Sequence, residues 1–275
     1  MKTAGIFRRL GEIPPMDWFG QGCFANGFSP DLRDPIEFTG QECDLAAVSG
    51  GLARYDKINT KIFHFYRSMG VDTFVIEHGR LVPQDIIRNY WLHYLNGVPM
   101  LPKLNPQMNH GRRKSIFLEF KPQKRGEAIL VAGQDVLTDR MLGIHVMESI
   151  RNFTDRKIIY RPRLTEGEDP HCAELADEVS RDAINPEKDI ARAWCVITGW
   201  SNMGGEALMS GVPVFCEPCA SYAEYASSSI ESIDYCERPK QEAIEEYLMR
   251  FSYLIWSSEE LRDGKGVQWM LENGR

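Results

Sequence analysis

The sequence lacks any apolar run near the roughly 20 residues that span a bilayer. Its opening stretch, MKTAGIFRRL, lacks the apolar segment of a signal peptide. No membrane span and a cytoplasmic location are therefore expected. Histidine is scarce, six in 275 residues, and the seven cysteines (23, 43, 172, 195, 216, 219 and 236) are odd in number in a chain too long to be a disulfide scaffold. Cys216 and Cys219 form one Cys-x-x-Cys pair without a second pair or a histidine cluster, so no zinc site is expected. Internal repeats and low-complexity tracts are absent, which excludes a fibrous or collagen-like chain. Net positive charge is absent too. The 32 basic and 39 acidic side chains leave −7, which taken whole speaks against a nucleic-acid partner.

What is present is the composition of a globular protein, 43% hydrophobic and 26% charged, long enough for one large domain or two ordinary ones. The charge is unevenly divided. Residues 1–125 carry 17 basic and 12 acidic side chains, net +5; residues 126–275 carry 15 and 27, net −12. Two domains with different tasks follow as the expectation.

Short apolar runs alternate with helical patterns. Strands are predicted at Ala4–Phe7, Leu45–Val48, Thr73–Ile76, Ile116–Phe120, Ala128–Ala132, Lys157–Tyr160, Trp194–Thr198 and Val212–Phe215. Helices are predicted at Asp56–Met69, Gln84–Tyr94, Asp139–Arg151 (capped by Thr138), Cys172–Ser180, Asn202–Ser210, Pro239–Tyr253 and Ser258–Leu271. Such alternation gives parallel sheets covered by helices. The two series are separated by the basic stretch Asn109–Gly126, which predicts domains at 1–125 and 126–275. Residues 13–42, rich in Gly and Pro around Trp18, Phe19 and Phe24, read as a long loop.

The most informative stretch is ITGWSNMGGEALMSGVPVF, residues 197–215. A buried strand ends at Thr198, a tight turn follows, and a helix opens from it. Free N–H groups and the helix dipole at that point favour an anion. Trp200, Ser201, Asn202 and Met203 form the turn and first residues; Ser201 and Asn202 can cap the helix or donate to phosphate. Gly204 and Gly205 let a ligand approach the backbone. Glu206, one turn in, can accept both hydroxyls of a ribose. A plain capped strand–turn–helix is the alternative.

The pattern of Ser201, Glu206-Ala-Leu208, Gly211 and Pro213-Val214 resembles the donor site of GT-B glycosyltransferases. Ile129-Leu-Val-Ala-Gly-Gln134, followed by Asp135 and Asp139, resembles the first strand and loop of the donor domain in capsule-polysaccharide transferases. Tyr160-Arg-Pro-Arg163 is similar to their Tyr-Arg-Pro-His-Pro segment, with Arg163-Leu164 in place of His-Pro. The tail (Tyr253-Leu-Ile-Trp256, Ser258–Arg262, Gly264 and Trp269) is similar to the C-terminal helices of small bacteriophage-encoded glycosyltransferases. The resemblance implies an α/β, GT-B-like fold, two Rossmann-like domains facing a central cleft, with the acceptor held by the first and the donor by the second. It implies a nucleotide-sugar donor, a UDP-sugar, with no bound cofactor and no metal. Gln134, Arg161, Arg163 and residues 200–206 would bind that donor, the two arginines as charge-assisted donors to phosphate.

In the first half a base must take the acceptor hydroxyl proton. Glu77 and His78 leave the predicted strand at 73–76 together, before Gly79, and are the first candidates; Asp17, in the aromatic loop, is the third. The end of the strand at Val48, with Gly50 and Gly51, and Arg80 are candidates for acceptor contact. Residues 110–125 hold six Lys/Arg (Arg112, Arg113, Lys114, Lys121, Lys124 and Arg125) against Glu119 alone. Together with the phage-like tail, that cluster favours a hydroxymethylated pyrimidine in double-stranded phage DNA as acceptor, flipped from the duplex. The protein would then work in the cytoplasm of the phage's host. A capsule-type or other glycan is the alternative acceptor. A nucleotide-sugar epimerase and a non-catalytic nucleotide-sugar-binding protein are the alternatives outside transfer.

Overall fold

The computed structural model describes residues 1–8, 15–49, 57–78, 90–96, 101–134, 144–163, 167–182, 185–227 and 229–274; of 78, 90–94 and 144 it describes the backbone alone. The chain forms two compact units. One comprises Met1–Phe117 and Met249–Arg275, the other Leu118–Leu248. The tail expected with the second domain thus belongs to the first, and the division expected at 125 falls at 117/118.

The first unit is built on β1 (Lys2–Phe7), β2 (Phe28–Arg33), β3 (Leu45–Ser49), β4 (Asp72–His78) and β5 (Tyr90–Leu95). The order β5-β4-β3-β1-β2 is parallel from β4 to β2, and β5 runs antiparallel to β4. Helix Lys57–Ser68 turns Ile62, Phe63 and Tyr66 inward and leaves Lys57 and Lys61 exposed, the stripe expected of a helix packed on a sheet. Phe19 and Phe74, both fully buried, pack with ring centroids 4.9 Å apart.

The second unit contains β6 (Ala128–Ala132), β7 (Ile158–Arg161), β8 (Glu178–Val179), β9 (Ala193–Thr198) and β10 (Val214–Cys216), all parallel in the order β10-β9-β6-β7-β8. Every residue of β6 is buried, as both faces of a helix-covered parallel sheet require. Helices Ile144–Ile150, Pro170–Leu175, Pro186–Arg192 and Asn202–Met209 lie between successive strands. After them the chain returns to the first unit, where β11 (Ile255–Ser257) pairs antiparallel with β5 and extends that sheet by a strand.

Several sequence expectations are corrected. The loop expected over 13–42 is not one among its described residues, 15–42, which include helix Pro15–Ala25, β2 and a short 3-10 turn, Pro35–Glu37. Pro15 opens the helix, where its missing N–H costs nothing. Gly22 sits where a Cβ would overlap the Leu261 carbonyl, so it permits a close approach to helix Ser258–Arg262. The helix predicted over 84–94 is a strand from Tyr90 onward; 84–89 lie outside the described residues, as does Thr138. Ile116–Phe120 is not a strand. Ile116 and Leu118 are buried, but Phe117 takes φ +63° and breaks the extended path. Residues 172–180 hold the end of a short helix and then β8. The last predicted helix is two, Ser258–Arg262 and Lys265–Asn273, divided at Gly264 with φ +77°, and its cap is Ser257 in a capping box with Glu260.

Candidate functional site

In the second unit, β6 leads outward to β7 and β8, and the chain then crosses to β9 on the other side of β6. The strand order therefore reverses between β6 and β9. Open α/β sheets bind ligands outside the carboxyl ends of the strands at such a point. The residues there are Gly133 and Gln134, after β6, and Thr198 to Ser201, at the end of β9. Gln134 is buried, and its Nε2 donates to Thr198 Oγ1 at 2.8 Å. The same oxygen accepts from the Ser201 N–H at 3.3 Å, so one hydroxyl joins both sides of the reversal.

Ser201 caps helix Asn202–Met209, its Oγ accepting from the Met203 N–H at 3.4 Å. Trp200 is 42% exposed and Asn202 is exposed, while Met203 is buried. The Tyr222 hydroxyl donates to the Ser201 carbonyl at 2.6 Å, and a Cβ on Gly204 would overlap the Tyr222 ring. The close approach that Gly204 permits is thus to a tyrosine of this chain, not to a ligand as expected. Gly205 is buried beside it.

Arg161 ends β7 buried, ion-paired through Nη1 with the buried Asp189 on helix Pro186–Arg192 and within 3.4 Å of Ser180 Oγ, which also donates to Asp189. It is a held cation, and its charge reaches Glu206. Burial pushes the Glu206 carboxyl above its usual range, Arg161 opposes that, and Glu187 reinforces it. Arg163, by contrast, is exposed. The edge thus offers N–H groups at a helix start, a buried amide, a fixed cation and a half-buried carboxylate, the set needed for a phosphate and a diol.

In the first unit, Glu77 lies buried near the carboxyl end of β4. His78 ends that strand, and its side chain lies outside the described residues, as do Gly50, Gly51 and Arg80. Asp17 is on a helix rather than in a loop and pairs with Arg8 at 3.3 Å. The basic cluster is divided: its arginines are engaged by the protein, while Lys114, Lys121 and Lys124 are exposed. Arg112 pairs with Glu260, donates from Nε to the Ser252 carbonyl at 2.9 Å and from Nη2 to that of Ile255, and lies 3.9 Å over the Trp256 ring. Arg113 is buried and donates to His110 Nδ1 at 3.2 Å. Tertiary partners take the donors of Arg112, and Arg113 is buried against its own helix, so neither guanidinium stands exposed. Lys114 is exposed.

Asp189, Ser180 and Tyr222 escaped the sequence reading. Asp189 stands among the solvent-side charges of a short helix, Glu187, Lys188 and Arg192. Only its register on that helix, facing the strands, could have marked it.

No protein-family model matches the chain, and no curated protein matches its sequence. Among solved structures the chain is similar to KpsC of Thermosulfurimonas dismutans, a beta Kdo 2,4 transferase, with a TM-score of 0.55 and 15% identity over 90% of each chain. It is similar also to a beta Kdo 2,7 transferase, KpsC of the same organism, with a TM-score of 0.54 and 15% identity over 97% of this chain and 99% of that one. The fold is the α/β fold of GT-B glycosyltransferases, with a mixed, mainly parallel sheet in the first unit and an all-parallel sheet in the second. Neither neighbour is named as acting on DNA.

Proposed function

We propose that the chain is a glycosyltransferase that binds a nucleotide-sugar donor at the carboxyl edge of the second sheet. The observation that carries this reading is the Gln134–Thr198–Ser201 linkage at the strand reversal, from which helix Asn202–Met209 opens, with the charge of the held Arg161 reaching Glu206 on that helix. In this reading the helix N–H groups and Arg161 stabilise the leaving phosphate as its charge develops. Glu206 accepts the ribose hydroxyls. Glu77 or His78, at the end of β4, takes the proton of the acceptor hydroxyl. The donor expected from the sequence is a UDP-sugar.

A glycan is the favoured acceptor. Of the six basic side chains in 110–125, Arg112, Arg113 and Arg125 are engaged within their own units, which leaves Lys114, Lys121 and Lys124 as the exposed charge a DNA backbone could meet. Both KpsC neighbours are by name transferases of a sugar, Kdo. The test is a panel of uridine-, guanosine- and cytidine-linked sugars incubated with oligosaccharide and with hydroxymethylated or unmodified duplex DNA, read by mass spectrometry. A donor-dependent mass increase on oligosaccharide, insensitive to salt, supports the reading. Transfer to hydroxymethylated DNA with a steep salt dependence would reinstate the DNA acceptor. Sugar isomerisation without an acceptor, or binding without turnover, would sink transfer itself.

A further inference from the structure

At the opposite, amino-terminal edge of the second sheet, two sulfurs and a guanidinium meet. Cys195, on β9, is wholly buried in the core cluster against which Cys236 packs, and each thiol perturbs the other; the Cys236 Sγ itself donates to the Ile233 carbonyl at 3.1 Å. Cys236 follows the 3-10 turn Ile230–Tyr235, is half-buried, and lines a surface pocket of about 270 Å³ with Ser232, Tyr235 and Pro213. Arg125 donates from Nη2 to the Cys236 carbonyl at 2.8 Å and to its Sγ at 2.9 Å, and from Nε to the Trp194 carbonyl at 2.9 Å. Its guanidinium lies 3.2 Å over the Trp194 ring. Arg156, paired with Asp234, lies over the same ring at 3.7 Å. The guanidinium of Arg125 is thus fixed by two carbonyls and a stacked indole, with a sulfur at its tip.

We propose that Cys236 is a peroxide-reactive thiol that closes a disulfide with Cys195. The Cys236 thiolate attacks one oxygen of the peroxide. The O–O bond breaks, the leaving oxygen departs as water or alcohol after taking a proton, and a sulfenic acid forms on Cys236. The Cys195 sulfur then attacks the Cys236 sulfur, its thiol proton leaves with the departing hydroxide as water, and the S–S bond closes. The peroxide is the oxidant, and both thiols supply the electrons.

The chemistry of the two thiols matches these roles. The Cys195 thiol, and the charge and hydrogen bond of Arg125, outweigh burial and bring Cys236 down to about 7. Burial pushes Cys195 well up, which keeps it protonated until it is needed. Cys219 is the most exposed cysteine, yet partial burial and the nearby Glu217 charge raise it. Cys216 and Cys23 are pushed up to about 12, chiefly by burial. Since the thiolate is the reacting species, Cys236 and not Cys219 is the residue oxidised first.

The test uses the full chain with a few equivalents of hydrogen peroxide at neutral pH, then alkylation, digestion and mass spectrometry. The expected product is a Cys195–Cys236 linked peptide pair, formed about tenfold or more faster than any oxidation at Cys219. In Cys195→Ser, dimedone should trap the sulfenic acid on Cys236. Oxidation of Cys219 or Cys43 ahead of Cys236 in the wild-type chain would overturn the proposal, and that measurement needs no variant to fold. Capture of Cys236 only as a free sulfenic acid in the wild type would overturn the disulfide.

Discussion

Gln134 and Thr198 are joined side chain to side chain, Nε2 to Oγ1 at 2.8 Å, across the reversal of strand order in the second sheet. Thr198→Val keeps the shape and removes the acceptor, leaving a buried amide donor without it, a change that costs about 1–3 kcal/mol. Urea denaturation should show that loss. Calorimetric titration with the nucleotide product should show donor-site affinity falling about tenfold, or about 1.4 kcal/mol. Thr198→Ser, which retains the hydroxyl, should recover most of the affinity.

Gly204 and Tyr222 form a second coupled pair. Gly204→Ala places a methyl in the Tyr222 ring and should destabilise the protein by about 1–3 kcal/mol through overpacking. Tyr222→Ala in the same chain should relieve the clash. A double-mutant cycle in denaturant therefore gives a coupling energy of opposite sign to the single losses. Strict additivity of the two changes would show that the ring does not sit where described.

Arg161 and Asp189 are a buried ion pair. Removing one partner leaves the other charged and buried, so Arg161→Ala should cost about 3–5 kcal/mol of stability as well as donor binding. Replacing both by apolar residues of similar volume should cost far less stability and the same binding. Thermal unfolding of the single and double variants, beside titrations with the nucleotide product, separates the two roles.

Glu206 sets stability against binding. Its carboxyl is raised by burial, so its favourable contribution is present below the unfolded carboxylate pKa and lost as pH rises through the folded one. At neutral pH the ionised group is therefore a strain on the fold. Glu206→Gln should raise the Tm slightly at pH 7 while weakening donor binding about tenfold or more, because a carboxylate accepts from a diol more strongly than an amide. A lowered Tm, or unchanged affinity, would remove the ribose role.

Glu178 behaves in the opposite sense. Arg192 holds it in two hydrogen bonds of 2.7 and 2.6 Å and Lys157 in a third of 2.6 Å, which bring its carboxyl down to about 2. Its contribution is present above the unfolded carboxylate pKa, about 4.3, and is lost as pH falls through the folded value. The groups are partly solvated, so the effect is on the order of 1 kcal/mol. Glu178→Gln should flatten the acid limb of the stability–pH curve between about 4 and about 2.

Much of the fold is legible because its signals are local. The runs of β6 and β9 are apolar on both faces, as parallel strands must be, and the turn after Thr198 carries its own cap. The misreadings are tertiary. Gly22 and Pro15 look like loop residues until Leu261 explains one and a helix start the other. Tyr90–Leu95 has a composition that suits helix or strand, and pairing with β4 decides it. The site divides the same way: Ser201 to Glu206 are contiguous, whereas Asp189 and Tyr222 arrive from elsewhere in the chain. The six basic residues of 110–125 are plain in the sequence, but the direction of each is a property of the fold, and Glu260 and Trp256 claim Arg112 from some 150 positions away.

The path of the chain has a consequence for its synthesis. All of Leu118–Leu248 leaves the ribosome before Ile255–Ser257 exists, so the unit begun second can be completed first. Until then β5 has an open outer edge, a row of unpaired amides able to recruit the wrong strand. A stop codon or a bulky fusion after Leu248 would therefore leave the later-starting unit whole and strand the nascent first unit in an aggregation-prone state.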